Sequence, residues 1–188
     1  MTVMRMKLRR NLTVPVDGSC ISPDKFQGKT CEQILQLEAW EGNRLIRLAD
    51  MFTIEGDAEG TLNNLKIIVS GDIKKIRRIG SGMTGRLVEV NGDVGMHLGE
   101  RMLSGRIIVN GSAGSWLGSR MINGIIEVRG NAGDFVGAAN RGTRDGMSGG
   151  SITVEGNAGT EIGCWMKGGQ IRVKANVRTF PGVHMSNG

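Results

Sequence analysis

Few residues in this chain have types and spacings that could carry chemistry, and each set points to packing or binding before catalysis. Cys20, Cys31 and Cys164 form no Cys-x-x-Cys pair and are odd in number. That speaks against a disulfide framework, a zinc site or a self-contained iron–sulfur cluster, and for reduced, inert thiols. His97 and His184 fall at different points of the repeat described below, so spacing gives them no shared metal or acid/base role. Gly80-Ser81-Gly82-Met83-Thr84-Gly85 satisfies G-x-G-x-x-G. A dinucleotide site needs a helix after that string, its N-terminus facing the pyrophosphate, whereas Leu87 to Val90 continue as a strand. Met83, Met102, Met121, Met147, Met166 and Met185 recur in register; such a stripe can bind Cu(I), but a stack of gap-filling thioethers is its default role. No catalytic, cofactor-binding or metal residues follow from these patterns.

What remains is surface chemistry. The net charge is +6, with basic residues gathered in Arg5 to Arg10 and in Lys74, Lys75, Arg77 and Arg78. No aromatic platform is interleaved with these charges and no helix-turn-helix or RNP-like string occurs, so an acidic protein partner or an anionic ligand is favoured over nucleic acid. The most directed groups lie in Ala138 to Gly146, where Asn140, Arg141, Thr143, Arg144 and Asp145 can make charge-assisted or polar contacts. With Trp116 and Phe135 they are the candidate partner-binding residues.

The elements that position these residues follow from a recurring phrase. Gly105 to Gly137 holds two near-copies of Gly-x-Ile-x-Val-x-Gly-[Ser/Asn]-Ala-Gly-x-x-[Leu/Val]-Gly, nineteen residues apart. Followed outward, the anchor glycine recurs as Gly56, Gly71, Gly92, Gly111, Gly130, Gly156 and, as alanine, Ala175. Two and four residues before each anchor stand Val, Ile or Phe, with polar residues such as Glu89, Glu127 and Thr153 between them, the period of a strand with one buried face. One short strand per repeat, with no matching second strand and no tight turn, predicts an all-β fold: a right-handed single-stranded parallel β-helix, a solenoid of about 19-residue coils. Residues 52–188 form that repeat domain in this reading, and residues 1–51 a small mixed N-terminal cap. Val3 to Leu12 reads as an edge strand. Ser22-Pro23 and the capping box Thr30/Gln33 start two short helices, and Glu41-Gly42-Asn43 turns between extended segments.

Three further ladders share the register. Asp72, Asp93, Ser112, Asn131, Asn157 and Asn176 suit corner hydrogen bonding. The methionines form the second. His97, Trp116, Phe135, Glu161 and Phe180 form the third; alternation turns them outward as a contact patch, with buried corner packing the competing arrangement. The repeat between Gly130 and Gly156 carries seven extra residues in Ala138 to Gly146, and insertions in repeat proteins gather on one face, often the binding face. No apolar run is long enough to span a bilayer and the first ten residues lack a signal-peptide core, so a cytoplasmic location is expected.

The string Gly137-Ala-Ala-Asn-Arg-Gly-Thr-Arg-Asp-Gly-Met-Ser-Gly-Gly150, set between Gly130-Asn-Ala-Gly-Asp and Val154-Glu-Gly-Asn-Ala-Gly159, closely resembles the C subunit of formylmethanofuran dehydrogenase. Arg78-Ile-Gly80, Gly163-x-x-Met-Lys-Gly-Gly169, Pro181-Gly-Val-His-Met185, Phe26-x-Gly-Lys and Gly42-Asn43 extend that resemblance over nearly the whole chain. The nineteen-residue phrase by itself is also similar to the glycine-rich C-terminal domain of the glutamate synthase large subunit. The resemblance implies a non-catalytic scaffold subunit in a complex that reductively fixes CO2 onto methanofuran in methanogenesis. It also implies that a molybdenum or tungsten pterin, iron–sulfur clusters and a binuclear metal site lie on pterin-containing and amidohydrolase-like partner subunits. The C subunit of a bacterial formyltransferase/hydrolase complex and a stand-alone glutamate-synthase-like module are the alternatives. A carbohydrate-active enzyme would want clustered carboxylates or aromatics along one face and a secretion signal.

Overall fold

The computed structural model describes residues 2–56 and 65–188; Met1 and the stretch 57–64, which joins the first two copies of the phrase, lie outside the described residues. The strands in chain order are β1 (Thr2–Leu8), β2 (Val16–Asp17), β3 (Glu38–Glu41), β4 (Arg44–Arg47), β5 (Phe52–Glu55), β6 (Leu65–Ser70), β7 (Ile76–Arg77), β8 (Thr84–Asn91), β9 (Ser104–Val109), β10 (Ile125–Val128), β11 (Ser151–Val154) and β12 (Gln170–Val173). Two short helices, α1 (Pro23–Phe26) and α2 (Cys31–Leu35), separate β2 from β3. Ser22 caps the first, and Thr30 with Gln33 makes a reciprocal capping box on the second.

The strands form two sheets. The larger has the order β12-β11-β10-β9-β8-β6-β1-β5, the smaller β4-β3-β2-β7. Neighbours from β1 to β12 in the large sheet are parallel, whereas β5 pairs antiparallel with β1; in the small sheet β2–β7 is parallel and the other two pairs are antiparallel. The single-stranded parallel β-helix expected from the spacing is therefore not the architecture, for three physical reasons. First, β1 is not an edge strand. It lies between β5 and β6 with Met4 and Met6 fully buried, so the amino-terminal residues complete the large sheet. Second, β5 runs against β1, so Phe52 and Ile54 lie opposite Leu8 and Met6 and are not the first member of a tandem stack. Third, among the described residues from β8 onward only one side of each repeat is a strand; the short β7 between β6 and β8 joins the smaller sheet instead. The next side contributes single-residue parallel bridges, Ile73 to Val94 to Ala113 to Ala132, and Ala158 to Val177. Corners fill the remainder, because no second run of alternating β-branched residues exists to build a wall there.

From β6 onward the register follows the sequence period. Val69, Val90, Val109, Val128, Val154 and Val173 face one another strand by strand, and Ile67, Val88, Ile107, Ile126, Ile152 and Ile171 do so two residues earlier. The members from β6 to β11 are fully buried, and those of β12 only partly so. Met83, Met102, Met121 and Met147 are fully buried and Met166 nearly so, filling the core beside these ladders, while Met185 is exposed. The Asp/Ser/Asn ladder satisfies backbone donors one repeat on: Asp93 accepts from the Ser112 N–H at 2.8 Å, Ser112 from Asn131 at 3.1 Å, Asn131 from Asn157 at 2.8 Å and Asn157 from Asn176 at 3.1 Å.

Candidate functional site

The third ladder occupies a corner whose backbone is left-handed. His97, Trp116, Phe135, Glu161 and Phe180 have φ of 60°, 58°, 63°, 53° and 58°, and the glycine two residues on shares that conformation in each case. Side chains rarely adopt it, and here the alternation of left-handed residues tightens the corner enough to reach the next strand in few residues. Gly80-Ser81-Gly82 is the earliest copy of this corner, after Arg78 at φ 61°, and β8 follows directly, so the G-x-G-x-x-G string shapes a turn.

Because successive corners stack, their rings stack too. His97 and Trp116 lie 5.3 Å apart with ring planes 4° from parallel, and Trp116 and Phe135 lie 4.6 Å apart at 13°. The rings point outward, as alternation requires, but pack on one another and are half-buried; only Phe180 stands largely exposed. Contact patch and corner packing, the two arrangements open in the sequence, are both present in part.

The insertion folds back over this stack. The Arg141 guanidinium carbon lies 5.9 Å from the ring centres of both Trp116 and Phe135, and Arg144 lies 5.2 Å from that of Trp165, which itself stacks on His184 at 4.2 Å. Of the other candidates, Asn140 and Asp145 turn back onto the repeats, and the exposed Thr143 bonds within the loop. Asn140 donates to Glu100 Oε1 at 2.8 Å and accepts from Ser119 Oγ at 2.9 Å; the Thr143 hydroxyl donates to the Asn140 carbonyl at 2.9 Å; and Asp145 pairs with Arg120. The hydroxyl of Thr143, opposed by burial and helped by Arg120, holds the Asp145 carboxyl below its ordinary value. Asn140 and Asp145 thus fix the loop, Thr143 closes a turn within it, and Arg141 and Arg144 are its exposed cations.

Glu100, only 6% exposed, links this loop to the smaller sheet. It receives Asn140, pairs with Arg78 Nε at 3.3 Å and faces His97 Nδ1 at 3.5 Å, while Arg78 also donates to Asp17 at 2.9 Å. Asp17, Arg77, Arg78, His97 and Trp40 line an open cavity of about 390 Å³. Burial pushes the His97 imidazole below its ordinary value, Glu100 opposing and Arg78 and Arg77 adding to the depression. Burial raises the Asp17 carboxyl, but the hydrogen bonds from Ser19 and the charge of Arg78 more than offset it and leave Asp17 depressed. Among the described residues no group of three or more His, Cys, Asp or Glu side chains is placed to hold a metal ion. No helix among them is long and apolar enough to cross a membrane. Cys20, mostly buried, has its thiol pushed up to about 11 by desolvation.

The Glu100 network and the second stack were missed by sequence reasoning. A signal existed: Arg101, Arg120, Trp165 and His184 stand four residues after His97, Trp116, Glu161 and Phe180, and all four are left-handed.

No family model matches the chain. It is 44% identical over 86 residues to the C subunit of the tungsten-containing formylmethanofuran dehydrogenase 2 of Methanothermobacter thermautotrophicus, covering 46% of this chain and 32% of that one. It is 37% identical over 90 residues to the C subunit of the molybdenum-containing formylmethanofuran dehydrogenase 1 of Methanosarcina barkeri, covering 48% and 30%. The matches thus span about a third of those relatives' length. Among solved structures, a chain of the formyltransferase/hydrolase complex from Methylorubrum extorquens, in complex with methylofuran, superimposes with a TM-score of 0.83 at 27% identity, covering 98% of this chain and 77% of that one.

Proposed function

We propose that this chain is a non-catalytic docking subunit of a formylmethanofuran dehydrogenase-type complex, and that the insertion with its underlying aromatic corner is its docking surface. One observation carries the reading: the extra residues of a single repeat are pinned from below by Asn140 and Asp145 while Arg141 and Arg144 stay exposed over stacked rings. Arginine on aromatic platforms is the composition of interface hot spots. A seven-residue interruption costs chain entropy that the core ladders do not require. In this reading the pterin, iron–sulfur and binuclear metal chemistry lies on partner subunits, and the repeats from β6 onward act as one unit braced by the residues before them. The names of the sequence relatives support the family, and the fold of the bacterial complex supports a second assignment, the C subunit of a formyltransferase/hydrolase complex without redox chemistry. Affinity purification of the tagged chain from its native extract distinguishes them. A pterin-containing subunit with stoichiometric Mo or W supports the first, and a formyltransferase without Mo or W the second. Recovery of the chain alone contradicts both.

A further inference from the structure

The second left-handed corner carries a charge imbalance that the packing does not use. Arg101, Arg120, Ile122, Asp145, Ser148 and Lys167 line a shallow depression of about 200 Å³ beside the insertion. Asp145 is its one carboxylate and is taken by Arg120. Among the described residues, Arg101 and Lys167 have no carboxylate partner, and both are exposed. Leu103 and Ile122, equivalent residues of adjacent repeats, are 44% and 50% exposed on the same face. A strip that sets exposed apolar residues beside unpaired cations is a poor solvent face and a good complement to an amphipathic anion.

We infer that this strip binds an extended acidic segment of a protein partner, with carboxylates four residues apart and an apolar side chain between them. The inference rests on the docking reading above and specifies the chemistry of that partner. The spacing follows from the stack. Lys167 continues the Leu103–Ile122–Ser148 ladder, and Arg101 stands two residues before Leu103 in its own corner; the corners bearing them precede β9 and β12, three strand steps apart along the stack, or about 14 Å at 4.8 Å per step. An extended chain covers that component in about four residues at 3.4 Å each, the long Arg and Lys side chains take up the two-residue offset around the coil, and residues i, i+2 and i+4 share one face. The fitting pattern is acidic-x-apolar-x-acidic, with the apolar residue over Ile122. Nucleic acid is disfavoured because the nearby rings are already stacked on one another or covered by arginine, which leaves no free face for a base.

The test is an amide NMR titration of the full chain with the peptide Glu-Ser-Leu-Ser-Glu, with its Gln-Ser-Leu-Ser-Gln counterpart and with an oligothymidylate. The expected result is saturable shifts centred on Arg101, Ile122, Ser148 and Lys167 with the acidic peptide and none with the glutamine peptide. Arg101→Gln and Lys167→Gln should each weaken binding about tenfold, the loss of one charge-assisted contact, and the exposed Arg178→Gln should leave it unchanged. Absence of shifts, equal shifts with the glutamine peptide, or tighter binding of the oligothymidylate at the same residues overturns it. If the acidic peptide fails while partner subunits still co-purify, the partner chemistry is wrong and the docking reading stands; if co-purification fails as well, both fall.

Discussion

Substituting alanine at Gly99 and, separately, at Gly82 divides the cost of a corner glycine into backbone and packing parts. Both residues have φ of +65°, so both alanines meet the same left-handed penalty, about 1–2 kcal/mol. Their surroundings differ. A Cβ at Gly82 would find nothing within 4 Å, whereas one at Gly99 would lie 2.7 Å from Ile126 Cδ1 and 3.2 Å from Ile107 Cδ1. Both isoleucines are fully buried between neighbouring ladders, so they can move only by disturbing the core. Overpacking of that kind costs about 1–3 kcal/mol. Gly82→Ala should therefore lose about 1–2 kcal/mol and Gly99→Ala about 2–5 kcal/mol. At about 2–4 °C per kcal/mol for a chain of this size, that is roughly 2–8 °C and 4–20 °C in Tm. Thermal unfolding followed by far-UV circular dichroism reads both. Equal losses at the two positions would refute the claim that the corner glycine is required for the close approach of the isoleucine ladder and not only for its φ.

Val128→Asp, which places a carboxylate in the fully buried centre of the valine ladder, should cost several kcal/mol through unpaired burial; an unchanged Tm contradicts it. The Cys20 thiol, pushed up to about 11, should resist iodoacetamide at about pH 7.5 in the folded chain and react on denaturation, which mass spectrometry of the alkylated peptide checks. The folded-state pKa of His97 lies below its ordinary value. Its contribution to stability is therefore complete above about pH 6.5 and lost as pH falls from there through the folded value. His97→Gln should flatten the fall in stability just below about pH 6.5 in urea titrations, and an unaltered slope there rules out His97 as the source.

The strand period was legible because burial on one face forces alternation; Val90, Val109, Val128, Val154 and Val173 share a ladder for that reason. What the period could not show was the route of the other residues. Phe52-x-Ile54 matches the pattern of the later repeats yet runs antiparallel to β1, since alternation is blind to strand direction. Met4 and Met6 sit among charged neighbours and looked like an edge, but the place between β5 and β6 buries them. At the candidate site, Trp116, Phe135, Arg141 and Arg144 were legible as types and positions. Glu100 was not, because its partners Arg78 and Asn140 lie far along the chain in other repeats and only the stacking brings them together.

Docking through Arg141 and Arg144, held over the aromatic corner, can be tested without dismantling the loop, because Arg141→Ala/Arg144→Ala removes both cations and leaves the Asn140 and Asp145 anchors in place. The decisive measurement is the yield of co-purified partner subunits for this variant relative to the unaltered chain, taken with the Tm of each. If these cations dock the chain, the variant keeps a Tm within a few degrees of the unaltered chain, surface substitutions costing about 0.5 kcal/mol each, and its yield falls at least tenfold. An undiminished yield from a folded variant would contradict that role and place the docking surface elsewhere on the chain.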